Sequence, residues 1–157
     1  MTGLVMSRDA DETLIETVGR ECIANKVRLV NRAVTAVYDN ALRPHGLKVS
    51  QMSVLVTISR AGRASPGAVA GMLHMEKSTL SRNVDRMRAR GWIEAAPGKD
   101  GRALELRVTA RGRRLLREVH SAWSSAQRRV GDILGDEGVR GITRAVAVLS
   151  RRRRERA

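Results

Sequence analysis

The residues best suited to chemistry lie on one face of a helix predicted over residues 77–90. At helical spacing, Leu80, Val84 and Met87 fall on one side, so this side must pack inward. Arginine forks onto phosphates and guanine edges, and short side chains near a helix N-terminus let free N–H groups approach a phosphate. The pattern predicts a helix that reads DNA in the major groove, although an ordinary solvated helix face has a similar composition. The opposite side carries small, basic and acidic residues: Ser78, Ser81, Arg82, Asp85, Arg86 and Ala89.

A second candidate lies in the stretch GKDGRALELRV, residues 98–108, where an acid precedes an arginine in a glycine-rich turn. Arg102 is predicted to enter the minor groove, because the negative potential of this groove attracts a guanidinium. A free arginine there would lose up to about 2 kcal/mol of rotamer entropy on insertion, and Asp100 can pair with it and pre-aim it. An exposed pair contributes about 0–1 kcal/mol, so its value lies in orientation. The alternative is a plain Asp–Gly turn.

The charge of the chain favours a polyanionic partner. Its 157 residues include 30 Lys and Arg against 16 Asp and Glu, which gives a net charge of +14 and a pI near 11.6. Aromatic residues make up 2%, which disfavours readers of RNA or single strands, because these stack bases on aromatic side chains. Double-stranded DNA is therefore the predicted partner. The charge alone would also suit an architectural DNA-binding protein without sequence preference, and this alternative stays open.

The elements around the predicted reading helix form a helix-turn-helix pattern followed by a β-hairpin. Ser50 is predicted to cap a helix that closes near Gly62. Ser65 is predicted to cap the next one, with Pro66 in its first position, and the reading helix ends at Gly91. The stretches WIEAAP and ALELRV then alternate like two paired strands. The helix that follows Ser65 is expected to bury three apolar residues: Val69, Met72 and Leu73.

Long helices are predicted at both ends of the chain. Residues 11–42 form one amphipathic helix, and Thr109 caps another that runs to a break at residues 135–138, before a final helix. A 30-residue helix is about 45 Å long, more than a small domain covers, so these helices are expected to embrace a partner subunit. The predicted fold is mainly α with a small β-wing. It comprises an N-terminal dimerisation helix (1–47), a winged helix-turn-helix DNA-binding lobe (48–109) and C-terminal dimerisation helices with a basic tail (110–157).

Other classes of protein fit the sequence poorly. A lone cysteine, Cys22, excludes an internal disulfide and a multi-cysteine metal site. We find no nucleophile–base pair, metal set or phosphate loop, so neither an enzyme nor a cofactor is expected. No apolar run approaches the roughly 20 residues that span a bilayer, and the N-terminus does not resemble a secretory signal. We therefore expect a cytoplasmic protein with no membrane partner.

The motifs together resemble those of the MarR-type winged-helix repressors over roughly residues 20–150. The run GWIEAAPGKDGRALELRVTARG is similar to the family signature of a glycine closing the recognition helix, an Asp-x-Arg wing tip and an L-x-V-T-x-x-G run. The stretches LRPHGLKVSQMSVLVTI and MEKSTLSRNVDRM are similar to its second helix and its recognition helix. The resemblance implies a homodimer with intertwined terminal helices that binds a pseudo-palindromic operator.

The family pattern also implies roles for individual residues. Asp100 and Arg102 correspond to the wing pair. Ala95 stands where many members carry an arginine that enters the wing, so that contact is predicted to be absent. The residues implied on the DNA-contacting helix are Ser78, Thr79, Ser81, Arg82 and Arg86.

The resemblance further implies a switch, in which a small, often aromatic, acid or the oxidation of a cysteine releases the DNA. Arg43 and His45 lie at the predicted junction of arm and DNA lobe, where a carboxylate of an effector could dock. Cys22 lies in the region where the hydroperoxide-sensing branch keeps its reactive cysteine, so a redox-sensing repressor is an alternative. Cysteine is also a common buried small hydrophobe, and the single tyrosine, Tyr38, lies about 24 Å further along the helix.

Overall fold

The structure is a computed structural model and describes residues 8–98 and 104–155. The chain divides into two compact units, which meet in sequence between Ala36 and Val37. Most elements of the described chain are helices, and one antiparallel pair of strands accompanies them. This confirms the predicted class of a mainly α fold with a β-wing.

The first unit contains helix α1 (Arg8–Glu21) and most of helix α2 (Ile23–Leu42). The prediction of one unbroken helix over residues 11–42 was wrong at Cys22, which separates the two. The Cys22 N–H still donates to the Val18 carbonyl (3.1 Å), and the Cys22 carbonyl accepts from Lys26 N–H (3.2 Å). Because these hydrogen bonds bridge the interruption, the apolar periodicity runs through it and the sequence gives no sign of the break.

The second unit begins with the end of α2 and a 3₁₀ turn (Arg43–His45) that closes on Gly46, at φ +65°. Helices α3 (Val49–Ala61) and α4 (Pro66–Leu73) follow, and then α5 (Lys77–Ala89). Ser65 Oγ accepts from Ala68 N–H, and Pro66 opens α4 as predicted. Gly62 follows the end of α3, and Gly91, at φ +68°, follows α5.

The start of α3 differs from the prediction. Ser50 lies inside the helix, and Lys48 takes the cap position. Asp39 Oδ1, on α2, accepts from Val49 N–H (2.8 Å), and Gln51 Oε1 accepts from Lys48 N–H (3.1 Å). A carboxylate ten residues earlier therefore satisfies the first turn, so a serine cap is not needed.

The strands β1 (Ile93–Pro97) and β2 (Leu104–Val108) pair antiparallel, with Ile93 opposite Val108 and Pro97 opposite Leu104. Ala64, just after α3, adds a short bridge to Leu106 on the other edge of β2. The hairpin is thereby tied both to α3 and to the end of α5.

Two helices complete the unit, α6 (Ala110–Glu118) and α7 (His120–Arg154). Thr109 Oγ1 caps α6 by accepting from Gly112 N–H, as predicted. The predicted single helix from Thr109 to the glycine break is interrupted at Val119, where a helical backbone hydrogen bond to Leu115 (3.0 Å) again hides the change. The predicted break at 135–138 is a kink at Gly135, where φ is 64°.

The core lies in the second unit and joins α3, α4, α5, the hairpin and α6. The prediction that Met72 is buried was wrong: Met72 is 41% exposed, whereas Val69 is fully buried and Leu73 half-buried. Tyr38 donates its hydroxyl hydrogen to Gln127 Oε1 and so ties the end of α2 to α7, and burial raises the pKa of this phenol. The largest fully buried side chains are Leu42, Leu47, Leu55, Ile58, Leu80, Met87, Leu106, Val54, Val69 and Val119.

Candidate nucleic-acid interface

Helix α5 has the two faces that its sequence predicts. Leu80, Val84 and Met87 are 2%, 7% and 0% exposed and belong to the core. Since this inward face fixes the rotation of the helix, the residues of the opposite face lie on its outer surface. The five side chains implied as DNA contacts are all exposed: Ser78, Thr79, Ser81, Arg82 and Arg86.

The turn before α5 leaves the start of the helix accessible. His74 ends α4 in the left-handed region, at φ +48°, and Glu76 opens α5 in an extended conformation without a side-chain capping hydrogen bond. Orphan N–H groups at such an end favour an anion. Asn83, which the sequence analysis did not single out, is 8% exposed and donates from Nδ2 to Met75 Sδ (3.9 Å), so it fastens this turn to α5.

The two arginines of the polar face lie one helical turn apart. Arg82 donates from Nε to the Ser78 carbonyl of its own helix (3.2 Å). Within residues 8–98 and 104–155, neither Arg82 nor Arg86 forms an ion pair within 4.0 Å. Both guanidinium groups therefore remain available to an external anion.

The wing pair cannot be placed, because Asp100 and Arg102 lie outside the described residues. The strands that lead to them are described. Ala95 is half-buried and pairs with Leu106, so this position offers only a methyl group. Near the loop end of the hairpin, where Glu105 pairs with Ala96, Glu105 Oε2 lies 3.6 Å from Arg63 Nη1, with no hydrogen-bond partner among the described residues.

A compact joint fixes the hairpin to α5. Thr109 donates its hydroxyl hydrogen to the Gly91 carbonyl (2.7 Å), and its N–H donates to the Trp92 carbonyl (3.0 Å). Gly112 lies so close that a Cβ there would stand 2.1 Å from the Trp92 oxygen. The direction of the hairpin relative to α5 is therefore set by contacts of Thr109 and Gly112 with the backbone carbonyl groups of Gly91 and Trp92.

The candidate switch residues of the second unit, Arg43 and His45, do not line one cavity. His45 is half-buried and lines a cavity of about 600 Å³ in the second unit. Arg43 is exposed, does not line that cavity, and donates to Asn40 Oδ1. Cys22, a free half-buried cysteine, belongs to the first unit.

The same cavity contains three arginines that the sequence analysis did not single out. They are Arg90, at the end of α5, and Arg111 and Arg114, on α6. The three-residue spacing of the last two is a signal for a shared helix face. Nothing in the sequence indicates that Arg90 joins them, because that depends on tertiary packing.

Other kinds of site receive no support from the described chain. Residues 8–98 and 104–155 contain no cluster of three or more His, Cys, Asp or Glu side chains that could hold a metal ion. Among the same residues, no helix is both long and apolar enough to cross a membrane.

Comparison with known proteins gives consistent matches. A sequence profile described as the MarR family matches residues 45–103, which include all of α3, α4 and α5. The multiple antibiotic resistance protein MarR of Salmonella typhimurium is 28% identical over 95 residues, which is 60% of this chain. The match covers 66% of that relative, slightly less than two thirds of its length.

Solved structures match over most of the chain. The transcriptional regulator MosR of M. tuberculosis, crystallised in complex with DNA, is 31% identical with a TM-score of 0.72; 86% of this chain and 98% of that chain are covered. A mutant of MarR from E. coli, complexed with operator DNA, has a TM-score of 0.74 at 18% identity, with 85% and 96% covered. The second likeness shows the fold alone.

Proposed function

Because the chain belongs to the MarR family of winged-helix transcriptional regulators, we propose that it binds a pseudo-palindromic operator as a homodimer. There it represses transcription until a small-molecule effector releases it. The family consists of DNA-binding regulators rather than enzymes. MosR of M. tuberculosis, crystallised with DNA, is the relative that most directly supports DNA as the partner.

The observation that carries this proposal is the division of α5 into a buried face and an exposed face. Arg82 and Arg86 are exposed on the outer face of α5. The Glu76 side chain forms no capping hydrogen bond at the N-terminus of this helix. A helix with this surface suits the major groove, because guanidinium groups recognise guanine edges and the N-terminal N–H groups recognise phosphate. The hydroxyl groups of Ser78 and Ser81 are short enough to allow close approach.

The test is a competition assay. Fragments that the protein retains from its own genome are sequenced, and the recovered site is then competed with unrelated duplex DNA. Specific sites typically bind about 10³-fold or more tightly than nonspecific DNA. A ratio near one would reject the repressor and favour the architectural alternative.

Exposed apolar residues support the homodimer. In the first unit, α1 and α2 expose large apolar side chains, including Ile15 at 71% and Ile23 at 74%. In the second unit, α7 exposes Ile142, Val146 and Leu149, at 42%, 56% and 60%. Large apolar side chains exposed together on a helix indicate a protein contact, and a second copy of the chain is the partner proposed.

The variant Val146→Asp is expected to convert the dimer to a monomer of 17.3 kDa, because a buried unpaired carboxylate is costly at an interface. Sedimentation velocity measures the change. Ser125→Asp, at an exposed polar position of the same helix, is the control and should leave the dimer intact. A dimer that persists in Val146→Asp would exclude this part of α7 from the interface.

For the wing, Arg102→Ala is expected to weaken operator binding and to lower the slope of log affinity against log salt. Each lost phosphate contact removes about 0.9 from that slope. Asp100→Ala should weaken binding less, and the double variant should lose less than the sum of the two, since Asp100 acts through Arg102. Unchanged affinity in Arg102→Ala would show that this residue does not enter the groove.

For the effector, an apolar cavity between α3 and α6–α7 favours a small aromatic compound. It has a volume of about 470 Å³, and the rings of His120 and Trp123 lie 6.1 Å apart on its wall. Arg43 and His45 do not line this cavity. An effector bound there would therefore not place its carboxylate against these two residues. The remaining lining residues are Val49, Met52, Ser53, Val56 and Leu116.

The redox alternative stays a prediction. Cys22 is a half-buried free cysteine, and it is the residue that separates α1 from α2. If its oxidation releases DNA, peroxide should dissociate the wild-type complex but not that of Cys22→Ser, as measured by fluorescence anisotropy of a labelled operator. Equal release from both proteins would remove Cys22 from the switch.

A further inference from the structure

The cavity beside the joint of α5 and the hairpin has an unusual electrostatic lining. Its volume of about 600 Å³ falls in the range of small-molecule sites. Three guanidinium groups line it against a single carboxylate, that of Glu118. The complete lining consists of His45, Arg90, Trp92, Arg111, Arg114, Leu115 and Glu118.

Arg90 is held in place at one wall of the cavity. Its guanidinium donates to the Gly46 carbonyl, and Arg90 Cζ lies 4.9 Å from the centroid of the Trp92 ring. Gly46 has φ +65°, and a Cβ at this position would stand 2.7 Å from Arg90 Nη1. The backbone conformation therefore favours a glycine here, and a side chain at this position would displace the end of the Arg90 side chain.

The other two arginines are aligned by the helix. Arg111 and Arg114 lie three residues apart in α6 and so occupy neighbouring positions on one side of it. Within residues 8–98 and 104–155, none of the three arginines forms an ion pair within 4.0 Å. Their charges are thus not neutralised by the described part of the chain, and Glu118 compensates for at most one of them.

We propose that this cavity binds a small phosphate-bearing anion through Arg90, Arg111 and Arg114. A phosphate offers several acceptor oxygens and more than one negative charge, which three guanidinium forks match better than a single carboxylate does. The three arginines are exposed and line one solvent-open cavity of about 600 Å³, which suits a discrete small molecule, whereas a DNA backbone follows an extended groove. The site is separate from the exposed face of α5 and from the apolar cavity, and its occupancy can be measured without DNA.

The experiment uses pyrophosphate as the probe, titrated into the DNA-free protein at constant ionic strength and followed by calorimetry. We expect saturable binding, weakened at least about tenfold in Arg111→Gln/Arg114→Gln, since each charge-assisted hydrogen bond contributes more than a neutral one. Arg117→Gln/Arg128→Gln removes the same charge from exposed positions outside the cavity. This control is expected to bind pyrophosphate as the wild type does.

A second readout locates the ligand. Trp92 and Trp123 are the two tryptophans of the chain, so the variant Trp123→Phe leaves the emission of Trp92, under Arg90, as the sole signal. A saturable change in Trp92 fluorescence on addition of pyrophosphate, which chloride at equal ionic strength does not produce, supports the site. Three results would each overturn the proposal. They are equal heats of binding for sulfate and pyrophosphate, an equal loss of pyrophosphate affinity in Arg117→Gln/Arg128→Gln, and an operator-binding defect of Arg111→Gln/Arg114→Gln without any pyrophosphate binding. A protein that fails to bind an operator can still pass this test, so the two proposals fail separately.

Discussion

Gly112→Ala is expected to destabilise the fold by more than about 3 kcal/mol, at the upper end of overpacking effects. The added Cβ would stand 2.1 Å from the Trp92 carbonyl oxygen and 2.8 Å from Val108 Cγ1. The first of these atoms belongs to the backbone and already accepts a hydrogen bond from Thr109 N–H (3.0 Å). Since the Trp92 carbonyl is part of the backbone and cannot rotate away as a side chain can, α6 would have to separate from the hairpin, and a small domain has only about 5–15 kcal/mol of stability to lose.

Urea unfolding followed by circular dichroism measures this loss. Gly71→Ala is the matched control, because Gly71 is an exposed residue of α4 with no atom within 4 Å of the added Cβ. That substitution should be neutral or stabilise by up to about 1 kcal/mol through helix propensity. If both variants unfold at the wild-type urea concentration, the close packing of α6 on Trp92 is not present in solution.

Arg82→Ala/Arg86→Ala is expected to lower operator affinity about 10³-fold or more, to the level of nonspecific DNA. A bidentate arginine–guanine contact contributes about 1–3 kcal/mol, and a homodimer would lose both arginines from both subunits. The fold should be unaffected, because both side chains are exposed and the hydrogen bond from Arg82 to the Ser78 carbonyl lies on the helix surface. Titration of a labelled operator, with unrelated duplex in parallel, separates specific from nonspecific affinity.

Arg117→Ala/Arg128→Ala is the control for charge, since it removes two positive charges per chain from exposed sites on α6 and α7. It should change operator affinity much less than the Arg82/Arg86 pair. An equal loss in the two double variants would mean that α5 contributes only charge. That outcome would favour the architectural protein over the sequence-specific repressor.

Locally determined features of the fold could be predicted from the sequence. Ser65 and Thr109 cap their helices, and Gly91 takes a left-handed conformation after α5, because these choices depend on neighbouring residues. The polar face of α5 could also be predicted, since its apolar residues fix the rotation of the helix. By contrast, the N–H of Val49, the first residue of α3, donates to Asp39, ten residues earlier, and no local pattern indicates this hydrogen bond.

The cationic cavity shows the same limit for a site. Arg111 and Arg114 share a helix face by spacing, but Arg90 joins them only because the end of α5, the 3₁₀ turn and α6 lie around one cavity. Among 30 basic residues, sequence spacing alone cannot identify which ones converge. The prediction that Met72 is buried was wrong because it relied on apolar character alone. Helix α4 is short, and the side that carries Met72 is exposed.

Thr109 links three elements of the second unit through its hydrogen bonds. One hydroxyl group donates to Gly91 at the end of α5 and accepts from Gly112 inside α6, while the N–H of the same residue holds Trp92 at the start of the hairpin. Hydrogen bonds of this single residue thus connect α5, the hairpin and α6. We therefore expect α5, the hairpin and α6 to move together, so that the lobe can change its orientation while the surface that it presents keeps its shape.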